Sequence, residues 1–115
     1  MVALPSPIPE PMVDLIAARF RLLGEPMRVR AIDALRQLEE ASVGELAEEL
    51  GTSQQNVSRH LGALSAGGVL SRRKEGNRVL YSIADEHFLA MCEHVCASIE
   101  RENEQLGEVL AGLGG

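Results

Sequence analysis

A short β-hairpin pattern in the second half of the chain constrains the fold more than any other feature. Residues 69–83 read VLSRRKEGNRVLYSI, which is two β-prone runs joined by Glu75, Gly76 and Asn77. The glycine in this connection supplies the positive φ that a tight hairpin turn needs. The segments on both sides have helical periodicity instead. The sequence therefore predicts a mainly α chain with one small β-hairpin (α+β).

Helix signals place four helices before the hairpin. The first runs from Met12 to Leu23 and ends at a glycine, and the second has Pro26 in its first turn. Ser42 and Glu45 form a capping-box pattern for the third helix, VGELAEEL. After Gly51 and Thr52, Ser53 caps the fourth helix, QQNVSRHLGALSAG. The third and fourth helices are thus short and closely joined.

The two ends of the chain differ in character. Proline stands at positions 5, 7, 9 and 11, and such an alternation suits neither a helix nor a strand ladder. We therefore predict a flexible proline-rich arm over residues 1–11 and a single domain over residues 12–115. A fifth helix begins at Asp85 and continues to about Leu110.

Charge is strongly segregated along the 115 residues. The net charge is −6, but residues 52–82 carry five basic side chains against one acidic. The segment before them carries five against nine, and the segment after them one against seven. The middle block can face a phosphate backbone while both flanks repel it. This balance argues against a general polyanion binder and favours specific docking onto nucleic acid.

Several other classes of protein are disfavoured. The two cysteines lie on one predicted helix and form no disulfide framework, and no signal-peptide pattern or membrane-length apolar run occurs. We therefore expect a cytoplasmic protein without a membrane partner. No Ser-His-Asp arrangement, phosphate-cradling glycine loop or complete catalytic metal motif is present, so we expect no enzyme. Aromatic residues make up only 3%, and association with a second copy would help so small a core.

Two short helices, a three-residue turn and a basic hairpin together predict a winged helix-turn-helix. Amides and hydroxyls at the start of the fourth helix can reach base edges, and hairpin cations can grip phosphates. The candidate DNA-binding residues are Ser53, Gln54, Gln55, Asn56, Ser58, Arg59, His60, Arg72, Arg73, Lys74 and Arg78. Each alone also fits an ordinary solvated surface, and His60 fits packing or a phosphate contact. Their joint order within the positive block favours double-stranded DNA as the partner.

Residues 42–83, SVGELAEELGTSQQNVSRHLGALSAGGVLSRRKEGNRVLYSI, resemble the core of the ArsR/SmtB family of bacterial metal-responsive repressors. VSRHL in the fourth helix, GGVL before the hairpin and RRKEGNRVLYSI in the hairpin carry the resemblance, which spans roughly residues 12–100. It implies a homodimer that binds an inverted-repeat operator and releases it when a ligand binds. It also implies that the first and last helices form the interface. The candidate interface residues are Phe20, Phe88, Cys92, Val95, Cys96, Ile99 and Leu106.

The resemblance also implies two places to look for an effector. One class of site in the family uses a Cys-x-Cys pair on the third helix, and VGELAEEL contains no cysteine. A second class lies on the last helix between subunits and begins with Asp-x-His, which Asp85 and His87 match. Its second half falls on Ser98 and Arg101, a poor ligand and a side chain that cannot ligate. The inherited four-ligand site is therefore broken.

A shifted site remains open. His94 and Glu100 lie along the same helix, and with Asp85 and His87 they give a mixed N/O ligand set that suits nickel, cobalt or zinc. The competing interpretation makes Asp85 only a helix N-cap.

The cysteines have a simpler interpretation. Phe88, Cys92, Val95 and Ile99 follow a heptad-like spacing, which favours Cys92 and the neighbouring Cys96 as small apolar residues of a dimer seam. Redox sensing or metal ligation by the thiols is the alternative. The remaining alternatives are a regulator that needs no ligand and a protein-interaction module without DNA binding of its own.

Overall fold

The described part of the computed structural model, residues 3–114, contains five helices and three strands. In chain order they are α1 (Glu10–Leu23), α2 (Pro26–Leu38), β1 (Glu40–Ser42), α3 (Val43–Leu50), α4 (Gln54–Ala66), β2 (Leu70–Glu75), β3 (Arg78–Ile83) and α5 (Glu86–Gly114). This order confirms the mainly α fold with a β-hairpin wing. Residues 1, 2 and 115, at the ends of the predicted arm and the predicted domain, lie outside the described residues.

The strand β1 is an addition that the sequence does not predict. It pairs with β3 in antiparallel register, and the sheet order is β1-β3-β2. Its residues, Glu-Ala-Ser, have low strand propensity, so the strand forms because the second edge of β3 offers it a partner. Ala41 is fully buried there, opposite Tyr81. Because Ser42 also caps α3, this short strand ties the base of the wing to the start of the helix-turn-helix.

The helix α1 begins at Glu10, two residues before the predicted start. Pro11 lies in its first turn, where a missing N–H costs nothing because that group would have no helical partner. The last two residues of the predicted arm therefore belong to the helix.

The core of the helix-turn-helix lies between α2, α3, α4 and the sheet. Small and aliphatic side chains fill it, as expected from the low aromatic content. The buried apolar residues of these elements are Ala31, Ile32, Ala34, Leu35, Ala41, Leu46, Ala47, Val57, Leu61, Leu64, Leu70, Leu80 and Tyr81. The helix α4 is thus packed against the same interior as α2, α3 and the sheet.

The described chain divides into two compact units, one ending at Ala84 and the other beginning at Asp85. The second unit consists of α5, which follows directly on Asp85. Among the described residues, no helix combines the length and the apolar character needed to cross a bilayer.

Candidate nucleic-acid interface

Caps define both ends of α3 and the start of α4. Ser42 accepts a hydrogen bond from the Glu45 N–H (3.2 Å), and the Glu45 carboxylate accepts one from the Ser42 N–H (3.0 Å). Gly51 ends α3 with a φ of +67°, a left-handed conformation that glycine adopts without strain. Ser53 then accepts a hydrogen bond from the Asn56 N–H (3.1 Å) and starts α4. The capping-box and N-cap predictions are both confirmed.

Polar side chains cover the outer face of α4 at its N-terminal end. Gln54, Gln55, Ser58 and Arg59 are exposed, and Asn56 is half-buried. An open concavity of the surface is lined by Ser53, Gln55, Asn56, Ser58 and Arg59. The opposite face of the helix carries Val57, Leu61 and Leu64, each exposed by 1% or less. Except for His60, the structure therefore brings the predicted α4 residues together on one accessible surface.

The exception, His60, is buried rather than presented to a ligand. Its side chain is only 4% exposed, because it lies on the inner face of α4 beside Leu61 and Leu64. The burial of His60 agrees with the packing alternative and leaves little of its surface for a direct contact with DNA. Burial, together with the nearby Arg59 and Arg28 guanidinium groups, lowers the pKa of His60 below its usual value, although the Glu25 carboxylate opposes the shift. The lowered pKa favours the uncharged imidazole at neutral pH.

Charged side chains surround both ring nitrogens of His60. Arg28 donates from Nε to His60 Nδ1 at 3.2 Å, and Glu25 Oε2 lies 3.4 Å from the same nitrogen. Arg28 also donates from Nη1 to the carbonyl of Leu22, in the last turn of α1 (3.1 Å). On the other side of the ring, Arg59 Nη2 lies 3.2 Å from His60 Nε2. His60 therefore stands between the α1–α2 corner and the outer face of α4.

Arg59 is also held by its own helix. Its Nη2 donates to Asn56 Oδ1 (3.1 Å), and Asn56 Nδ2 donates in turn to Thr52 Oγ1 (3.3 Å). Through these contacts a chain of hydrogen bonds runs from the turn before α4 to an exposed guanidinium. The sequence identifies Arg59 and Asn56 as candidates but gives no signal for their link to Glu25 and Arg28, which lie 28 to 34 residues away along the chain.

The wing has two faces with different roles for its cations. Alternation along β2 places Arg72 and Lys74 on one face and Arg73 and Glu75 on the other. The Arg72 guanidinium lies 5.9 Å from the centre of the Tyr81 ring, within cation–π range. Lys74 is exposed on the same face. These two cations are presented on the face that also carries the buried side chain of Tyr81.

The other two predicted phosphate ligands are engaged in ion pairs. Arg73 donates from Nε and Nη2 to the two carboxylate oxygens of Glu40 (both 2.6 Å) and also pairs with Glu75 (2.9 Å). Arg78 donates to the carboxylate of Glu45, the residue that completes the cap of α3. The hydrogen bonds from Arg73 lower the pKa of Glu40, and those from Ser42, assisted by Arg78, lower the pKa of Glu45. Arg73 and Arg78 are therefore paired with carboxylates in the structure and are not presented as free cations.

The residues expected to hold a metal come together only in part. Asp85 Oδ1 accepts a hydrogen bond from the His87 N–H (2.9 Å) and lies 3.0 Å from His87 Nδ1. His87 is 94% exposed, and His94 and Glu100 are exposed farther along α5. No group of three or more His, Cys, Asp or Glu side chains is placed to hold a metal ion within the described part of the chain. One chain thus supplies an N-cap and two adjacent donor groups, and it does not by itself fit a complete metal site.

Most of the predicted interface residues are exposed in the single chain. Phe20 on α1 is 56% exposed, and Val95, Ile99 and Leu106 on α5 are 52–55% exposed. Cys96 is exposed and Cys92 is half-buried, and burial raises the pKa of the Cys92 thiol, with the Glu93 carboxylate adding to the effect. Phe88 differs, because only 1% of it is exposed.

Comparison with known proteins identifies the family. A helix-turn-helix domain family matches residues 23–73. The HTH-type transcriptional regulator KmtR of Mycobacterium tuberculosis is 31% identical over 110 residues, which cover 90% of this chain and 84% of that protein. A solved structure from Mycobacterium bovis, described as a homodimeric winged helix-turn-helix DNA-binding domain of a possible ArsR-family regulator, has a TM-score of 0.70 at 29% identity, covering 77% and 82% of the two chains.

The chain belongs to the ArsR/SmtB family. The antimony-specific transcriptional repressor AntR is a further structural neighbour, with a TM-score of 0.74 at 27% identity over 84% of this chain and 86% of AntR. ArsR/SmtB proteins are transcriptional regulators and not enzymes, so this chain is a DNA-binding regulator. The identification agrees with the polar outer face of α4 and with the wing that follows it.

Proposed function

We propose that the protein is a homodimeric repressor that binds an inverted-repeat operator through α4 and one face of the wing. The observation that carries the proposal is the division of α4 into two faces. The inner face is fully buried, and the outer face presents Gln55, Ser58 and Arg59 around an open concavity, with Gln54 also exposed. An α-helix of this kind fits the major groove, where amides match adenine and guanidinium groups match guanine.

In this proposal the wing contacts the DNA phosphates through Arg72 and Lys74. Both cations lie on the face of β2 that is opposite to the ion pairs of Arg73. Point charges at a wing neutralise phosphates and fix the position of the protein on the duplex, while the helix reads the sequence. The proposed interface is therefore smaller than the eleven residues that the sequence suggests, because His60, Arg73 and Arg78 have other partners.

A homodimer is supported by the exposed apolar side chains on α1 and α5. Phe20, Val95, Ile99 and Leu106 are each more than half exposed, and burying such residues against a second copy is favourable. A two-fold dimer presents two copies of α4 and so requires two half-sites about one helical turn apart. The proposal also places the protein in the cytoplasm, because the bacterial chromosome to which it would bind lies there.

The proposed effector is a transition metal, nickel, zinc or cobalt, bound at α5. A single chain contributes Asp85 and His87 as adjacent donors, and a second chain would have to contribute His94 or Glu100. Nitrogen and oxygen donors of this kind suit these metals, and a bound ion would supply a charge that links the two copies. If binding changes the affinity for DNA, a coupling of about 1–3 kcal/mol would shift the affinity roughly 5- to 150-fold.

In vitro selection tests the proposed function. The full chain is mixed with a random duplex pool of about 30 base pairs, which has room for two half-sites one turn apart. We expect the selected duplexes to share an inverted repeat and to be protected at two half-sites. Enrichment of no sequence, or of a site without two-fold symmetry, would contradict the proposal and would favour a protein-interaction module.

A further inference from the structure

The contacts of His60 have a consequence for Arg59. An uncharged imidazole carries one N–H, so only one of its two nitrogens can accept a hydrogen bond at a time. Arg28 Nε lies 3.2 Å from Nδ1 and Arg59 Nη2 lies 3.2 Å from Nε2. Guanidinium groups donate and never accept. The ring therefore cannot satisfy both arginines in one tautomer.

The two tautomers of the uncharged ring favour different partners. With the proton on Nε2, the ring accepts from Arg28, and its own N–H then faces the Arg59 donor. With the proton on Nδ1, the ring accepts from Arg59, and the Nδ1–H faces Glu25 Oε2 at 3.4 Å. The protonated ring has N–H groups on both sides and can accept from neither arginine. Only one of these three forms holds Arg59.

We propose that His60 is a positioning residue that fixes Arg59 for DNA recognition and links it to the α1–α2 corner through Glu25 and Arg28. This inference rests on the proposed contact of Arg59 with DNA. The His60 tautomer that is protonated on Nδ1 and paired with Glu25 orders the Arg59 guanidinium together with Asn56. An arginine ordered in advance loses less side-chain freedom when it binds.

The link reaches α1 as well as α2. Arg28, which competes with Arg59 for the imidazole, also binds the Leu22 carbonyl in the last turn of α1. A shift of this corner that draws Arg28 away from Nδ1 favours the tautomer that holds Arg59. A shift that brings Arg28 closer releases Arg59. Since α1 carries exposed apolar residues of the proposed dimer surface, the state of that surface can be transmitted to α4 through one imidazole.

Two amide substitutions separate positioning from packing. In His60→Gln the side-chain amide reaches the place of Nε2 and can accept from Arg59, whereas in His60→Asn it reaches only the place of Nδ1. The two variants are similar in size and polarity, so a purely structural role predicts similar losses. The readout is the ratio of the affinity for a duplex selected by the wild-type protein to the affinity for a random duplex of equal length.

We expect His60→Asn to lower this ratio by about 2- to 12-fold, the worth of one hydrogen bond, and His60→Gln to change it by less than about twofold. In an Arg59→Ala background the difference between the two variants should vanish. Equal losses in both variants, or a difference that persists without Arg59, would overturn the proposal. If the wild-type protein prefers no duplex over random DNA, the proposed function itself fails.

A pH profile keeps the test independent of how well His60→Asn folds. Glu25 and Arg28 from the α2 side and Arg59 from α4 are the charged groups that face the ring. Acidification charges the imidazole and removes the acceptor for Arg59, so the wild-type affinity ratio should fall as the pH is lowered below about 6.5. His60→Gln should lack this fall although it retains His87 and His94. A fall in the affinity ratio of His60→Gln that equals the fall in the wild-type protein would contradict the proposal.

Discussion

Arg73 and Glu40 form a two-bonded ion pair that crosses the sheet. Arg73 lies on β2, Glu40 lies on β1, and β3 runs between them. Both hydrogen bonds are 2.6 Å long, and the planar guanidinium matches the carboxylate edge to edge. The pair fastens the wing to the short strand that leads into α3. In our proposal Arg73 therefore supports the wing, and its charge is engaged by Glu40.

The two faces of the wing should respond differently to mutation. Replacing Arg72 and Lys74 by alanine removes the proposed phosphate contacts, so the slope of log affinity against log salt should become less steep by about 1 per lost contact. Arg73→Ala removes one charge from the opposite face and serves as the matched control for each single variant, Arg72→Ala or Lys74→Ala. We expect it to leave the salt slope nearly unchanged. Equal changes in slope would mean that both faces meet DNA.

Acid should weaken the folded state through His60. Its pKa is lowered in the folded state, so between that value and the unfolded value of about 6.5 the unfolded chain binds more protons. The contribution of the group to stability is therefore complete above about pH 6.5 and is lost as the pH falls through the folded-state pKa. Urea unfolding at a series of pH values measures this loss.

The matched control for the acid effect is His60→Gln, which has no titrating group at this position. Its free energy of unfolding should vary less with pH between about 5 and 7 than that of the wild-type protein. Because His87 and His94 are present in both proteins, they cannot account for the difference. Parallel curves would show that His60 does not carry the pH dependence.

Acidic substitutions on α5 should disrupt the proposed dimer. Ile99 and Leu106 are 52% and 55% exposed in the single chain, and a carboxylate in an apolar interface is costly to bury. We expect Ile99→Glu and Leu106→Glu to move the protein toward monomer in sedimentation equilibrium. Ala97→Glu places the same charge at an exposed position on the opposite side of the helix from Ile99 and controls for charge alone. A mass that stays the same in all three variants would place the interface elsewhere.

Metal binding can be measured directly by equilibrium dialysis against nickel, zinc and cobalt. We expect binding that is lost in His87→Ala and reduced in His94→Ala, because two donor groups from one chain need a second chain to complete the site. Cys92→Ser and Cys96→Ser should bind metal normally if the cysteines are apolar residues of the helix surface. Loss of binding in the cysteine variants alone would assign the response to the thiols instead.

Local patterns in the sequence were sufficient to predict most of the fold. The Ser42–Glu45 capping box, the Ser53 N-cap and the Gly76 turn are signals within a few residues, and each appears in the structure. The strand β1 could not be predicted, because Glu-Ala-Ser becomes a strand only when β3 lies beside it. Its existence depends on a partner about forty residues away.

The candidate site also combines features that local sequence patterns indicate with contacts between residues far apart in the chain. The sequence left His60 open between packing and a phosphate contact, although helical periodicity places it on the buried face with Val57, Leu61 and Leu64. The ion pairs of Arg73 and Arg78 join residues 33 positions apart, and no local pattern indicates which basic side chains find an acidic partner. The sequence therefore predicts a candidate surface on α4 and the wing, and the structure gives some of its side chains partners within the protein.

The central claim is that the outer face of α4 recognises DNA, and the affinity of Arg59→Ala for a duplex selected by the wild-type protein tests it most directly. Arg30→Ala, which removes an exposed arginine of α2, is the matched control. We predict that Arg59→Ala loses about 5- to 150-fold in affinity for each recognition helix, in line with the worth of one arginine–base contact, while Arg30→Ala loses less than about twofold. Equal affinities of Arg59→Ala and the wild-type protein would contradict the claim.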